Sequence, residues 1–139
     1  MKGIEVMKSM LGLQEKKDKI KLMEFFKKHL HPKEFMLNPE TTPWCARIIG
    51  CCERAVGKKG TGKDNARSYL DYGTRVRLDE AEPGDICIFM RGNSTWQGHV
   101  AYFVDQVDDE SIVVLGGNQK DSICYGRYPV HNLLGIRRS

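Results

Sequence analysis

The sequence has no Cys-x-x-Cys pair: its cysteines fall at positions 45, 51, 52, 87 and 124. A zinc site built on closely spaced ligand pairs is therefore not expected, and an odd number of thiols argues against a disulfide framework. There is no EF-hand loop, hence no case for calcium; no metal or other cofactor is expected. No apolar run reaches the ~18 residues that would suggest a membrane span, so no stable membrane insertion is expected. Near the N-terminus, Met7, Met10, Leu11 and Leu13 are interrupted by Lys8, with Glu5 upstream. That segment lacks the apolar stretch and small-residue cleavage site of a signal peptide, which points to synthesis in the cytoplasm without one. Repeats and low-complexity linkers are also missing, and 139 residues suit a single domain spanning 1–139. Nucleic-acid motifs and interleaved aromatics are absent too, so no nucleic-acid partner is expected.

What is present is unevenly charged. Residues 1–33 carry nine lysines against four acids, whereas the remainder has a net charge of −1. The plain reading is a solvated helix face; the alternative is attraction to an anionic envelope polymer. Gln14 to Leu30 reads as an amphipathic helix, with Ile20, Leu22, Met23, Phe25, Phe26 and Leu30 on its apolar side. A loop over 31–43 follows, then a helix in Thr42 to Gly57 (TPWCARIIGCCERAVG) and a short helix over Asp64 to Tyr72. From Pro83 onward the pattern becomes that of strands: 85–90, 98–107, 111–115, 123–128 and 134–137. Helices followed by antiparallel strands indicate an α+β fold, with a helical N-terminal part (1–38) and a core over 42–138.

The helix at Thr42 carries the first chemical signal. Thr42 is a good N-cap and Pro43 suits the first helical position. Cys45 then falls in the first turn, where unpaired N–H groups and the helix dipole favour a thiolate, the nucleophilic form. Packing is the competing role, because a buried free cysteine behaves as a small hydrophobe. Cys51 and Cys52 lie beyond reach of the dipole and are assigned to the core, as are Cys87 and Cys124 in their strand patterns.

A nucleophilic thiol needs a base, and the base needs an orienting group. Among the histidines, His29 and His31 sit at the end of the lysine-rich helix, and His131 lies in the C-terminal region. His99 opens the apolar strand of WQGHVAYFV. A two-residue turn at Asp108 and Asp109 makes facing positions sum to 217, which sets His99 opposite Asn118 in LGGNQ. Asn118 could then accept the imidazole N–H, completing a Cys45–His99–Asn118 constellation. A bulge at Gly116 and Gly117 would shift this register by one residue. Trp44 and Trp96 flank the thiol and the imidazole in sequence and are candidates to wall a substrate groove. Gln97 and Gln119 are candidates for polar contacts to substrate.

The segments TPWCARIIGCCERAVG, GTGKDNARSYLDYG, PGDICIF, RGNSTWQGHVAYFV and VLGGNQKDSI, in that order, resemble the small peptidoglycan hydrolases of the NlpC-like and CHAP (cysteine, histidine-dependent amidohydrolase/peptidase) superfamily, particularly short bacteriophage versions. The resemblance implies a papain-like fold, with the cysteine at the N-terminus of a helix packed on an antiparallel sheet. It implies Cys45 as nucleophile, His99 as base and Asn118 as the third polar member. It implies cell-wall peptidoglycan as substrate, cleaved at the muramoyl–alanine amide or within the stem or cross-bridge, as by an endolysin acting at the bacterial wall. The alternatives are a cysteine peptidase or acyltransferase on another amide, and a non-catalytic binding module on the same scaffold.

Overall fold

A computed structural model describes all residues 1–139. Three α-helices come first: α1 (Gly3–Lys8), α2 (Lys19–Lys28) and α3 (Cys45–Ala55). Six strands follow: β1 (Thr74–Val76), β2 (Ile86–Met90), β3 (Gly98–Gln106), β4 (Ser111–Gln119), β5 (Ser122–Pro129) and β6 (Leu133–Arg138). They form one sheet of order β1-β6-β2-β3-β4-β5, antiparallel at every pairing. The architecture is α+β, as the sequence pattern indicated. No helix is long and apolar enough to cross a membrane.

The alternation of side chains along each strand builds two cores. From β3, Val100 and Tyr102 point into a cluster with Trp44, Ile48 and Ile49 of the α3 region and with Ile4, Met7, Leu22 and Phe26 of α1 and α2. Ala101 and Phe103 pack on the opposite face with Phe89, Ile112, Val114 and Ile136. β2 contributes to both, which is why ICIFM is an unbroken apolar run rather than an alternating one.

Several boundaries differ from those the sequence suggested. The helix expected over Gln14 to Leu30 is confined to Lys19–Lys28. Asp18 captures the Gln14 N–H at 3.0 Å, and Gln14 bridges to Ser122, so this segment is tied to the sheet as a turn. Ile20 consequently faces solvent, while Leu22 and Phe26 are buried. α1 was not anticipated; six residues carry little periodicity, and burial of Ile4 and Met7 holds them. The Thr42 N-cap is corrected as well. Trp44 occupies the N-cap and Cys45 is the first helical residue, because the Thr41 and Thr42 N–H groups close a turn on the Asn38 carbonyl. The helix expected after Asp64 is a 3-10 segment, Ala66–Asp71. β1 is an added strand that pairs with the C-terminal β6.

Candidate active site

Cys45 is 5% exposed and lines a cleft of about 160 Å³ with Pro43, Asp64, Arg91, Trp96 and Gln97. Trp96, expected as a groove wall, and Gln97, expected as a polar contact, both line this cleft, Trp96 being 72% exposed. Trp44 does not. It is fully buried, donates its indole N–H to Glu15 at 3.0 Å and packs against Phe26, so its assignment as a groove wall is corrected to a core role. Gly117 makes room for it, since a Cβ there would sit 2.5 Å from the indole ring. Arg67 pins the loop that carries Trp96 by donating to the carbonyls of Ser94 and Gln97.

His99 follows Gly98 of the cleft wall and is 2% exposed. Its Nε2 bonds Gln119 Oε1 at 2.8 Å, and its ring stacks on Tyr128 with centroids 4.9 Å apart. The expected partner was Asn118; the hydrogen bond goes one residue further. The two-residue turn is corrected: next to it Gln106 pairs with Ile112 and Asp105 with Val113, one residue off the expected register, and only past an irregularity between Phe103 and Asp105 do Phe103↔Val114 and Tyr102↔Leu115 fall where expected. Beyond Leu115 β4 carries a bulge, seen as the register shift of β4 against β5 between Gly116 and Gln119 and as a left-handed Asn118 (φ 58°). The extra residue is absorbed at Asn118, and Gln119 takes the position facing the imidazole. Gln119 is therefore corrected from a substrate contact to the partner of His99. The sequence signal for this was the Gly-Gly pair itself.

The amide of Gln119 also determines which tautomer of His99 is present. Gln119 Nε2 donates to the Cys124 carbonyl at 2.6 Å, which turns Oε1, an acceptor only, toward the ring. His99 Nε2 must then carry the proton, leaving a lone pair on Nδ1. That Nδ1 is buried and has no hydrogen-bond partner. Two glycines open the slot for the amide: a Cβ on Gly116 would lie 2.8 Å from Gln119 Oε1, and one on Gly126 would lie 2.9 Å from Nε2.

Electrostatics revise one expectation. Burial pushes the Cys45 thiol above its ordinary value; the Val100 N–H, the Arg91 charge and the helix-start N–H groups of Ala46 and Cys45 pull the other way without overcoming it. Burial is also the main cause that lowers His99 to about 4. The resting groups are thus a neutral thiol and a neutral imidazole. Cys51 is pushed by burial up to about 12, and Cys52 and Cys87 are raised for the same reason, as suits core thiols.

The depressed His99 value makes stability depend on pH in a defined window. The unfolded chain takes up a proton below 6.5 while the folded ring stays neutral to about 4, so stability is lost as pH falls between those values. The loss amounts to about 3 kcal/mol. Urea midpoints from pH 7 to 4 should fall more steeply for the wild type than for His99→Asn. His29, also lowered by burial, titrates in both proteins and cancels in the comparison. Parallel slopes would mean that His99 is not held neutral.

Among known families, the model of the CHAP domain matches residues 37–118, more than half of the chain. The matched span contains Cys45 and His99 and ends one residue before Gln119. No curated protein matches the chain.

Proposed function

Because the chain belongs to the CHAP domain family, we propose that it is a thiol-dependent hydrolase that cleaves an amide of peptidoglycan, with Cys45 as nucleophile, His99 as general base and Gln119 as the positioning residue. The observation that carries this reading is the unpartnered, buried Nδ1 of His99, whose tautomer is set by Gln119. A buried nitrogen lone pair without a partner is costly in a core that serves only packing. Nδ1 is free to accept the Cys45 proton once ring and sulfur approach to hydrogen-bond reach, which nucleophile activation requires.

In the proposed reaction, Nδ1 takes the Sγ proton as sulfur bonds to the scissile carbonyl carbon. The carbonyl π pair moves to oxygen, where N–H groups at the start of α3 stabilise it. Collapse breaks the C–N bond, and the departing nitrogen receives the proton from Nδ1. Water then enters by the same base, splits the thioester and restores the thiol. A helix-borne cysteine packed on the interior strands β3 and β4 of an antiparallel sheet supports a papain-like relationship. The resemblance of the quoted segments to short phage enzymes supports a phage endolysin acting at the bacterial wall.

Digestion of purified peptidoglycan, with identification of the termini released, tests the reading and separates an amidase from a stem or cross-bridge endopeptidase. Gln119→Ala should lower kcat by tenfold or more, short of the ~10²–10⁴ expected on losing the base itself. Asn118→Gly, which keeps the left-handed backbone, should change it by less than about threefold, since Asn118 makes no hydrogen bond to the ring. Absence of new termini with wild-type protein, while other amides are cleaved, would move the assignment to a different cysteine peptidase.

A further inference from the structure

The cleft of Cys45 contains one charge that nothing in the protein balances. Asp64 on its wall is held by Arg47 through paired bonds of 2.8 and 2.9 Å. Arg91, which follows the end of β2, is exposed and lines the same cleft, and it takes part in no ion pair or side-chain hydrogen bond. Except for Arg75, every other arginine gives its guanidinium to a carbonyl or carboxylate. Arg75 is on the edge strand β1, away from the cleft. An unpaired guanidinium presents a planar fork of donors suited to a carboxylate.

Its charge acts on both reacting groups, lowering His99 and drawing the Cys45 thiol down. Within the protein the guanidinium has no anionic partner in the cleft, and an anionic group of the substrate would supply one.

We propose that Arg91 reads a free carboxylate on the peptide next to the scissile amide, so that the preferred substrate is a stem peptide in its acidic rather than its amidated form. This rests on the hydrolase reading above and assigns that site a substrate class. The carboxylate lies against Arg91 on one wall of the cleft. The Asp64 wall, already neutralised by Arg47, exerts no strong pull on a second charge. Trp96, on the loop that follows Arg91, covers the apolar part of the peptide.

The test uses a pair of synthetic stem peptides, identical except that one bears the carboxylate and the other its primary amide. Turnover is measured with wild type, Arg91→Ala and Arg91→Lys, and binding with the same Arg91 variants in a Cys45→Ala background. The wild type should prefer the acidic peptide by tenfold or more in kcat/KM. Arg91→Ala should remove that preference by costing the acidic peptide tenfold or more beyond any loss shared with the amide, and Arg91→Lys should retain part of it. Raising salt should weaken the acidic peptide selectively. Equal turnover of both peptides by wild type, or an equal loss on both in Arg91→Ala, would overturn the subsite while leaving the hydrolase intact. Arg91-dependent binding of the acidic peptide without turnover by wild type would keep the subsite and remove the hydrolase. Binding of neither peptide would overturn the subsite.

Discussion

Cys45→Ala is expected to abolish clearing of purified peptidoglycan, with a loss of at least 10³-fold, and to leave the fold intact. In the proposed mechanism the change removes the atom that forms the acyl bond. Cys51, Cys52 and Cys87 are fully buried, and Cys45 is the one cysteine on the cleft wall. The stability cost should be small, because alanine at the first position of α3 keeps the helix and removes only sulfur. Thermal unfolding and turbidity clearing, measured side by side, check both halves. The resting thiol is not pre-ionised, so slow alkylation by iodoacetamide at neutral pH is compatible with activity here. Undiminished clearing by the variant would end the thiol mechanism.

The second large effect is expected on stability. Arg47 is 2% exposed within α3 and binds Asp64, the Phe35 carbonyl at 2.7 Å and Glu34 at 3.1 Å. The Glu34 side chain is itself buried and also meets Arg54 at 2.8 Å. Arg47→Met would leave Glu34 with one cation, the Phe35 carbonyl without its donor and Asp64 unanchored. Removing one member of a buried ionic set costs about 3–5 kcal/mol, which for a chain of this size lowers Tm by roughly 10–15 °C. Since Asp64 lies on the cleft wall, the surviving folded protein should also show a raised KM. A double-mutant cycle with Asp64→Asn separates that pair from the rest. A Tm change of only about 2 °C, within the range of a surface substitution, would show that the network contributes little.

Local signals were sufficient for much of this molecule. The change from helical to strand periodicity near Pro83 specified the α+β class, because burial on one face imposes a period of 3.6 or 2 on any chain. Pro-Trp-Cys placed the thiol at a helix start, whereas the Asp-Asp turn gave the observed register of β3 against β4 only beyond an irregularity between Phe103 and Asp105. Long-range packing decided the rest. Trp44 and Trp96 are alike in sequence, yet one lies beneath Gly117 and the other in the open cleft. Whether a helix-start thiol ionises depends on how deeply the sheet buries it, and here burial outweighs the dipole. The partner of His99 turned on a single residue, since a bulge whose left-handed Asn118 advances the chain by one position exchanges one face of β4 for the other. Arg47, Glu34 and Asp64 meet only after the loop of 31–43 and the segment after Gly62 close over α3, which no local pattern of charges announces.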